Sequence, residues 1–149
     1  RFRGIEEALP GPSVIASLEE ADLIVIAPSN PFVSVKPVLE ITGVGEVIKN
    51  RRERVVAISP IVGGAALKGP ASRMLEELGF ESSVVGIASL YKEFASALVI
   101  DHVDAELAAK VEAVGLRSVV TDAIMSDVDR AAALAEAVLD NTSLEERDT

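Results

Sequence analysis

The sequence predicts an α/β protein in which a parallel β-sheet is flanked by helices. Segments with a helical spacing of apolar residues separate four short apolar runs, and such alternation favours parallel strands joined by right-handed crossovers. Composition agrees, since 49% of the residues are apolar but only 3% are aromatic, an aliphatic mixture typical of buried parallel strands. The predicted strands are residues 23–27, 55–58, 97–100 and 116–120.

Length and charge limit the classes of protein that this chain can represent. With 149 residues it fits one domain that buries a core. Its formal net charge of −10 argues against a general nucleic-acid or anionic-membrane surface. The sequence contains no cysteine, which excludes disulfides, thiolate metal sites and cysteine nucleophiles. We expect a cytoplasmic protein with neither nucleic acid nor membrane as a partner.

The first part of the chain is predicted as helix, strand and loop. Ser13 is the predicted N-cap of a helix, and residues 23–27 are apolar throughout, as expected of a strand covered on both faces. The prolines at 28 and 31 predict a loop that continues through residues 32–37. Gly43 and Gly45 interrupt the following weak helical or extended segment.

Caps and glycines bound the remaining elements. The basic run 49–54 is interpreted as a solvated turn before the second strand, with phosphate binding as the weaker alternative. Ser82 or Ser83 caps one helix, Asp104 caps another, and residues 141–149 are expected to fray. The predicted helices after the second strand are residues 71–78, a segment from Ser82 or Ser83 to Phe94, and residues 104–114 and 127–139.

Polar and glycine-rich residues follow the predicted strands. Because the carboxyl ends of parallel strands meet at one edge, residues 28–34, 59–70, 101–102 and 121–125 are expected near one rim. We predict that the connections after the first and second strands lie side by side and share one ligand.

The connection after the second strand contains Gly63, Gly64 and Lys68. Glycines let a backbone approach a phosphate closely, and a helix N-terminus favours an anion by roughly 0.3–1 kcal/mol. The spacing matches neither of the standard phosphate-binding glycine motifs. A tight strand-to-helix connection without a ligand is therefore an equal alternative.

The connection after the first strand offers Ser29, Asn30 and Ser34 in a proline-stiffened loop. The Asn30 amide can donate and accept in one plane, which suits a base, a ribose or a phosphate. The pattern alone favours the alternative, a turn in which these side chains satisfy their own backbone.

The other candidates are isolated residues. His102 is interpreted as a surface residue rather than half of a catalytic pair with Asp101, because neighbours in a strand point to opposite faces. Asp122 is the best candidate acid and a weak candidate metal ligand, or else a cap. Tyr91 and Phe94 share an apolar helix face, for which core packing is favoured over a wall against a flat aromatic ligand.

Taken together, these segments resemble the 2-phospho-L-lactate transferase family. The resemblance covers nearly the whole chain but only the later half of the family's longer sequence. It rests on Pro28, Ser29, Asn30, Pro31, Ser34 and Pro37, on residues 59–64 with Lys68, Gly69, Pro70 and Ala71, and on residues 86–88, Tyr91, residues 99–101 and 120–122, and Met125.

The resemblance implies a Rossmann-like fold, Mg²⁺ as cofactor and a homodimer. It implies transfer of a 2-phospholactyl or phosphoenolpyruvyl group from a guanosine diphosphate-linked lactate or enolpyruvate donor to the deazaflavin Fo, with GMP leaving, in coenzyme F-420 biosynthesis. By the same resemblance, the guanosine diphosphate side is assigned to Ser29, Asn30, Pro31, Ser34, Gly63, Gly64 and Lys68.

Two departures from the family pattern qualify this assignment. Ala65 stands where a lysine is expected, and the family's N-terminal glycine-rich loop and its acidic residues for metal and acceptor are not among these residues. We therefore expect residues 1–149 to be the C-terminal part of a transferase domain and to be inactive alone. The alternatives are a nucleotide or nucleotide-sugar binding regulator on the same scaffold and an assembly domain; the proline-bounded loop 28–31 favours the transferase over the regulator.

Overall fold

Four parallel strands form the central sheet, as the alternation of strands and helices predicts. The structure is a computed structural model that describes residues 2–66 and 69–142. All three pairings in the sheet are parallel. The strands lie in the order β1 (Ile24–Ile26), β2 (Val55–Ile58), β5 (Ala97–Asp101) and β6 (Arg117–Thr121), and the remaining two, β3 (Ile61–Val62) and β4 (Ala65–Ala66), pair with each other.

The antiparallel pair β3–β4 replaces the loop predicted after β2. Gly63 and Gly64 are its two turn residues, with φ of 58° and 76°. A two-residue hairpin turn of this kind needs positive φ at both positions, which glycine adopts without strain. We call β3, β4 and this turn the glycine hairpin.

Helices cover the two faces of the sheet unequally. Apolar residues of α1, α3, α4, α5 and α6 pack with one face of the strands, whereas α7 packs against the other. None of the helices in the described ranges is long and apolar enough to cross a membrane. The helices are α1 (Val14–Glu20), α2 (Lys36–Leu39), α3 (Val44–Asn50), α4 (Ala71–Glu77), α5 (Val84–Tyr91), α6 (Ala108–Val114) and α7 (Val128–Thr142).

Side chains alternate between the two faces along β2, which is buried throughout. Val55 and Ala57 join the larger core, while Val56 and Ile58 join the core beneath α7. The prediction that the first strand is covered on both faces is wrong. Val25, the register partner of Val56, is 45% exposed, and the described core beneath α7 includes Val56 but no residue of β1.

The predicted loop over residues 32–37 is also wrong, because the chain is helical there. A π-helix over Pro31–Val35 continues directly into α2. Pro31 occupies the first helical turn, where the missing N–H would have no intrahelical partner anyway. Proline therefore starts this helix instead of preventing it.

Helix α3 was not predicted, because Gly43 and Gly45 suggested an interruption. Gly43 is the N-cap with φ of 82°, and Gly45 is buried inside the helix. A Cβ atom on Gly45 would lie 2.4 Å from the carbonyl oxygen of Leu39. The glycine thus allows α3 to approach the end of α2 closely.

Of the predicted helix N-caps, Ser83 is confirmed, whereas Ser13 and Asp104 do not cap as predicted. The Ser83 hydroxyl accepts from the N–H groups of Val85 and Gly86. Ser13 precedes α1 but makes no side-chain cap hydrogen bond. Asp104 does not start its helix: the 3-10 helix His102–Leu107 precedes α6, and Asp101 is its cap.

Two arginines of the basic run before β2 donate hydrogen bonds to backbone carbonyls that precede other strands. Arg51 donates to the carbonyl of Ala21, and Arg52 donates to the carbonyls of Lys92 and Gly115 at 2.8 and 2.6 Å. Each of these three carbonyls precedes a strand. The run is therefore less solvated than predicted. At the other terminus, Asn141 and Thr142 belong to α7, and residues 143–149 lie outside the described part.

Candidate functional site

A cleft of about 820 Å³ opens at the carboxyl edge of the sheet. Residues from the connections after β1, β2 and β6 line it together, so these three connections meet at one rim, whereas residues 101–102 are not among its described lining residues. The described lining residues are Pro28, Ser29, Asn30, Val33, Ser34, Pro60, Gly69, Pro70, Ala71, Ala123, Ile124, Met125 and Ser126.

Asn30 is the best-defined polar residue of the cleft. Its Oδ1 accepts hydrogen bonds from the N–H groups of Phe32 at 2.9 Å and Val33 at 3.2 Å. These bonds cap the π-helix and fix which end of the amide is the oxygen. The other end, Nδ2, donates to the sulfur of Met74 at 3.5 Å. A thioether is a weak acceptor, so the Asn30 amide retains donor capacity for a ligand.

The other predicted site residues of this connection line two different pockets. Ser29 and Ser34 line the cleft beside Asn30. Pro31 is buried and lines a second pocket, on the other side of the π-helix. Asn30 can therefore both stabilise its own turn and bind a ligand. Its side-chain oxygen accepts from backbone N–H groups, whereas its nitrogen does not bond to the backbone of the described residues.

Residues 123–126 form the opposite side of the cleft, which we call the 123–126 wall. Its outer part is apolar and half-exposed, with Ile124 at 38% and Met125 at 47% exposure. Its inner end is hydrogen-bonded to the last residue of β5, Asp101. The Asp101 carboxylate accepts from the N–H of Ala123 at 2.9 Å, and Asp101 is only 5% exposed. The sequence placed residues 121–125 at this rim, but nothing in it pointed to the Asp101–Ala123 bond.

The glycine hairpin does not contribute to the described lining of the cleft. The N–H of Gly63 donates to Oδ2 of the buried Asp104 at 2.9 Å, and the carbonyl of Gly64 accepts from the hydroxyl of Ser82 at 3.1 Å. These polar groups already have partners within the chain. Lys68 lies outside the described residues, whereas Gly69, which follows it, lines the cleft.

His102 and Asp122 form an exposed pair beside the cleft. His102 Nε2 lies 4.0 Å from Asp122 Oδ1, and the two side chains are 62% and 75% exposed. In the described part of the chain, no three His, Asp or Glu side chains cluster as a metal site would require, and none of the lining residues is acidic. Mg²⁺ is normally held by at least one carboxylate, so these residues do not fit a magnesium site.

The second pocket, of about 460 Å³, is mainly apolar and lies between α2 and α5. Tyr91 lines it but belongs to the core at 2% exposure, which confirms core packing for this residue. Its hydroxyl is buried and has no hydrogen-bond partner among the described residues, and burial raises the pKa of Tyr91 above its usual range. Phe94 is half-buried at the same pocket, with Lys49 Nζ 4.9 Å from its ring centre.

Comparisons of the sequence with known proteins identify a family. The family model described as "2-phospho-L-lactate transferase CofD" matches residues 1–142. The 2-phospho-L-lactate transferase of Methanocaldococcus jannaschii is 36% identical over 89% of this chain and 41% of its own length. That of Methanosarcina acetivorans is 35% identical over 93% and 44%, and the phosphoenolpyruvate transferase of Streptomyces griseus is 38% identical over 92% and 43%.

The chain therefore spans a little over two fifths of the length of these curated relatives. The family match covers almost all of the chain, including every described residue that lines the cleft. The chain belongs to the 2-phospho-L-lactate transferase CofD family.

Proposed function

We propose that the cleft binds the guanosine diphosphate part of an activated lactate or enolpyruvate donor. The protein would then act in transfer of a 2-phospholactyl or phosphoenolpyruvyl group to the deazaflavin Fo. Two observations support the group transferred: relatives named for 2-phospho-L-lactate transfer and for phosphoenolpyruvate transfer both match this chain at 35–38% identity. Magnesium, the homodimer and the acceptor remain predictions from the family resemblance.

We base this proposal mainly on the hydrogen bonds of the Asn30 side-chain amide. Two backbone N–H groups bind its oxygen, so its nitrogen has a fixed direction, and among the described residues this nitrogen donates only to the Met74 sulfur. A phosphate oxygen is a far better acceptor than a thioether, and a hydrogen bond to a charged group contributes about 1.5–3 kcal/mol. Ser29 and Ser34 add two hydroxyl groups to the same side of the cleft.

The opposite wall suits a flat ring. Ile124 and Met125 expose apolar surface to the cleft, and a nucleotide base needs such a surface beside its polar edge. The volume of about 820 Å³ lies within the roughly 300–1,000 Å³ of small-molecule sites. A nucleotide can therefore lie with its phosphates towards Asn30 and its base towards the 123–126 wall.

The transfer itself asks for positioning more than for covalent catalysis. The acceptor hydroxyl oxygen forms a bond to the outer phosphorus of the donor and releases its proton to solvent, and the bond from that phosphorus to the oxygen of GMP breaks. Reactions of this type proceed by alignment and by stabilisation of charge on the phosphoryl oxygens. In this proposal Ser29, Asn30 and Ser34 hold the diphosphate that links the transferred group to guanosine.

Titration calorimetry on the purified chain tests the proposal. We expect GDP to bind, GMP to bind at least about tenfold more weakly because it lacks one phosphate, and ADP to bind more weakly than GDP. The matched control is Ser82→Ala, which removes a hydroxyl that contacts the glycine hairpin instead of the cleft. Absence of GDP binding, or equal affinity for GDP and inorganic phosphate, would contradict the proposal.

A further inference from the structure

We infer that Asp101 is a positioning residue whose buried carboxylate fixes the 123–126 wall of the cleft. Neither the family match nor the sequence pattern assigns it this role. The inference rests on the proposed function only for its effect on nucleotide binding. Its effect on the wall is independent of any ligand.

Both carboxylate oxygens of Asp101 are engaged with the backbone. Oδ1 accepts from the N–H of Val103 at 3.1 Å, and Oδ2 accepts from the N–H of Ala123 at 2.9 Å. The first bond is local, but the second joins the end of β5 to a residue 22 positions away, just after β6. Hydrogen bonds to a buried carboxylate are stronger than neutral ones, so this second bond is a firm attachment.

The wall has few other attachments among the described contacts. Ala123 is buried, but Ile124 and Met125 are half-exposed and gain little from packing. Within the wall the Ser126 N–H donates to the Ile124 carbonyl at 3.2 Å. Its far end meets Asp127, which accepts from the N–H of Arg130 at 2.9 Å at the start of α7. The wall is thus held at its two ends, and Asp101 holds the end nearer the sheet.

Asp104 provides a natural comparison for this role. It is 4% exposed, and like Asp101 it accepts from a distant backbone N–H at 2.9 Å. Its partner is Gly63, in the glycine hairpin, which is not part of the described lining. The two aspartates therefore make the same kind of attachment on two different connections, and only the Asp101 attachment holds a wall of the cleft.

The two methionines of the chain allow this difference to be measured. Met125 lies in the wall, and Met74 contacts Asn30 on the opposite side of the cleft. We would label the methionine methyl groups with ¹³C and record their NMR signals together with amide hydrogen exchange. In Asp101→Asn we expect Ala123 to exchange at least about tenfold faster and the Met125 signal to move, while Met74 stays in place.

Asp104→Asn is the matched control. It should accelerate exchange at Gly63 and leave both Ala123 and the Met125 signal unchanged. Asp101→Ser is a second variant in case Asp101→Asn does not fold, because a serine hydroxyl can still accept from Val103 but is too short to reach Ala123. Unchanged Ala123 exchange and an unmoved Met125 signal in a folded Asp101 variant would overturn the inference.

Nucleotide binding forms the second part of the experiment. The Kd for GDP should rise about tenfold in Asp101→Asn and stay within about twofold in Asp104→Asn. Equal losses in the two variants would show a general structural effect and would overturn the role of Asp101 in the cleft. If GDP does not bind the unmodified protein, the proposed function fails, while the Ala123 and Met125 measurements still decide whether Asp101 fixes the wall.

Discussion

The connections that follow β1 and β2 leave neighbouring strands of the sheet, yet they use their polar groups differently. After β1, the Asn30 oxygen caps a helix and its nitrogen donates to a thioether sulfur, a weak acceptor. After β2, the Gly63 N–H, a donor that an anion could use, is already bonded to the carboxylate of Asp104. A glycine-rich strand end is therefore not an anion site by composition alone, because its donors must also be free.

The largest effect that this comparison predicts is on GDP affinity in Asn30→Asp. Aspartate is as good an N-cap as asparagine, so the π-helix should keep its start. The donor Nδ2 becomes a carboxylate oxygen, which repels phosphate, and the Kd for GDP should rise roughly 30- to 100-fold. Calorimetry measures the loss.

Asn30→Ala completes this test, because it removes the cap and the donor together. We expect it to destabilise the fold by about 1 kcal/mol and to weaken GDP binding as well. An Asn30→Asp variant that keeps the melting temperature and also keeps full GDP affinity would remove Asn30 from the site.

The next effect concerns Lys68, the only cation among the residues assigned to the phosphates. Lys68→Gln should raise the Kd for GDP about fivefold, since one solvated charge pair contributes up to about 1 kcal/mol. Lys110→Gln removes the same charge from α6, which contributes nothing to the described lining. An equal effect of both substitutions would mean that Lys68 acts only through the net charge of the protein and makes no specific contact with the phosphates.

Smaller effects are expected at the serines of the first connection. Ser34→Ala should raise the Kd for GDP about two- to threefold, because one neutral hydrogen bond at an exposed side chain contributes about 0.5 kcal/mol net. Competition of GDP against a fluorescent guanine nucleotide resolves such a difference. A loss larger than that in Asn30→Asp would mean that Ser34, not Asn30, is the main phosphate contact.

The smallest effect on binding is expected in the second connection. Gly64→Ala places a side chain at φ of 76° and should cost about 1 kcal/mol of folding stability while changing GDP affinity less than about twofold. Gly79→Ala, at φ of 79° outside both connections, is the matched control for stability. A clear loss of affinity in Gly64→Ala alone would return the glycine hairpin to the binding site.

The sequence predicted the sheet because parallel strands buried on both faces leave a simple signal, a short run without polar residues. The runs that became β2 and β5 were located to within one residue. The helices over residues 31–39 and 44–50 were missed because their prolines and glycines also occur in loops. Whether such a residue ends or permits a helix depends on its tertiary context. Pro31 lies in the first turn of a helix, where proline is tolerated, and Gly45 lies against the Leu39 carbonyl, where a larger residue would not fit.

The candidate site was predictable only in part, for a related reason. Asn30, Ser29 and Ser34 carry visible chemistry on a strand end, and the cleft does contain them. The 123–126 wall consists mostly of unremarkable residue types, and Asp101 reaches it through a backbone N–H. A bond between a side chain and a distant backbone group leaves no trace in the sequence.

A crystal structure of the chain with GDP would show whether Asn30 and the 123–126 wall bind the nucleotide. We expect the diphosphate in the cleft, with an oxygen about 3 Å from Asn30 Nδ2 and the base against Ile124 and Met125. A diphosphate bound at the glycine hairpin, with Asn30 still facing only Met74, would contradict this expectation.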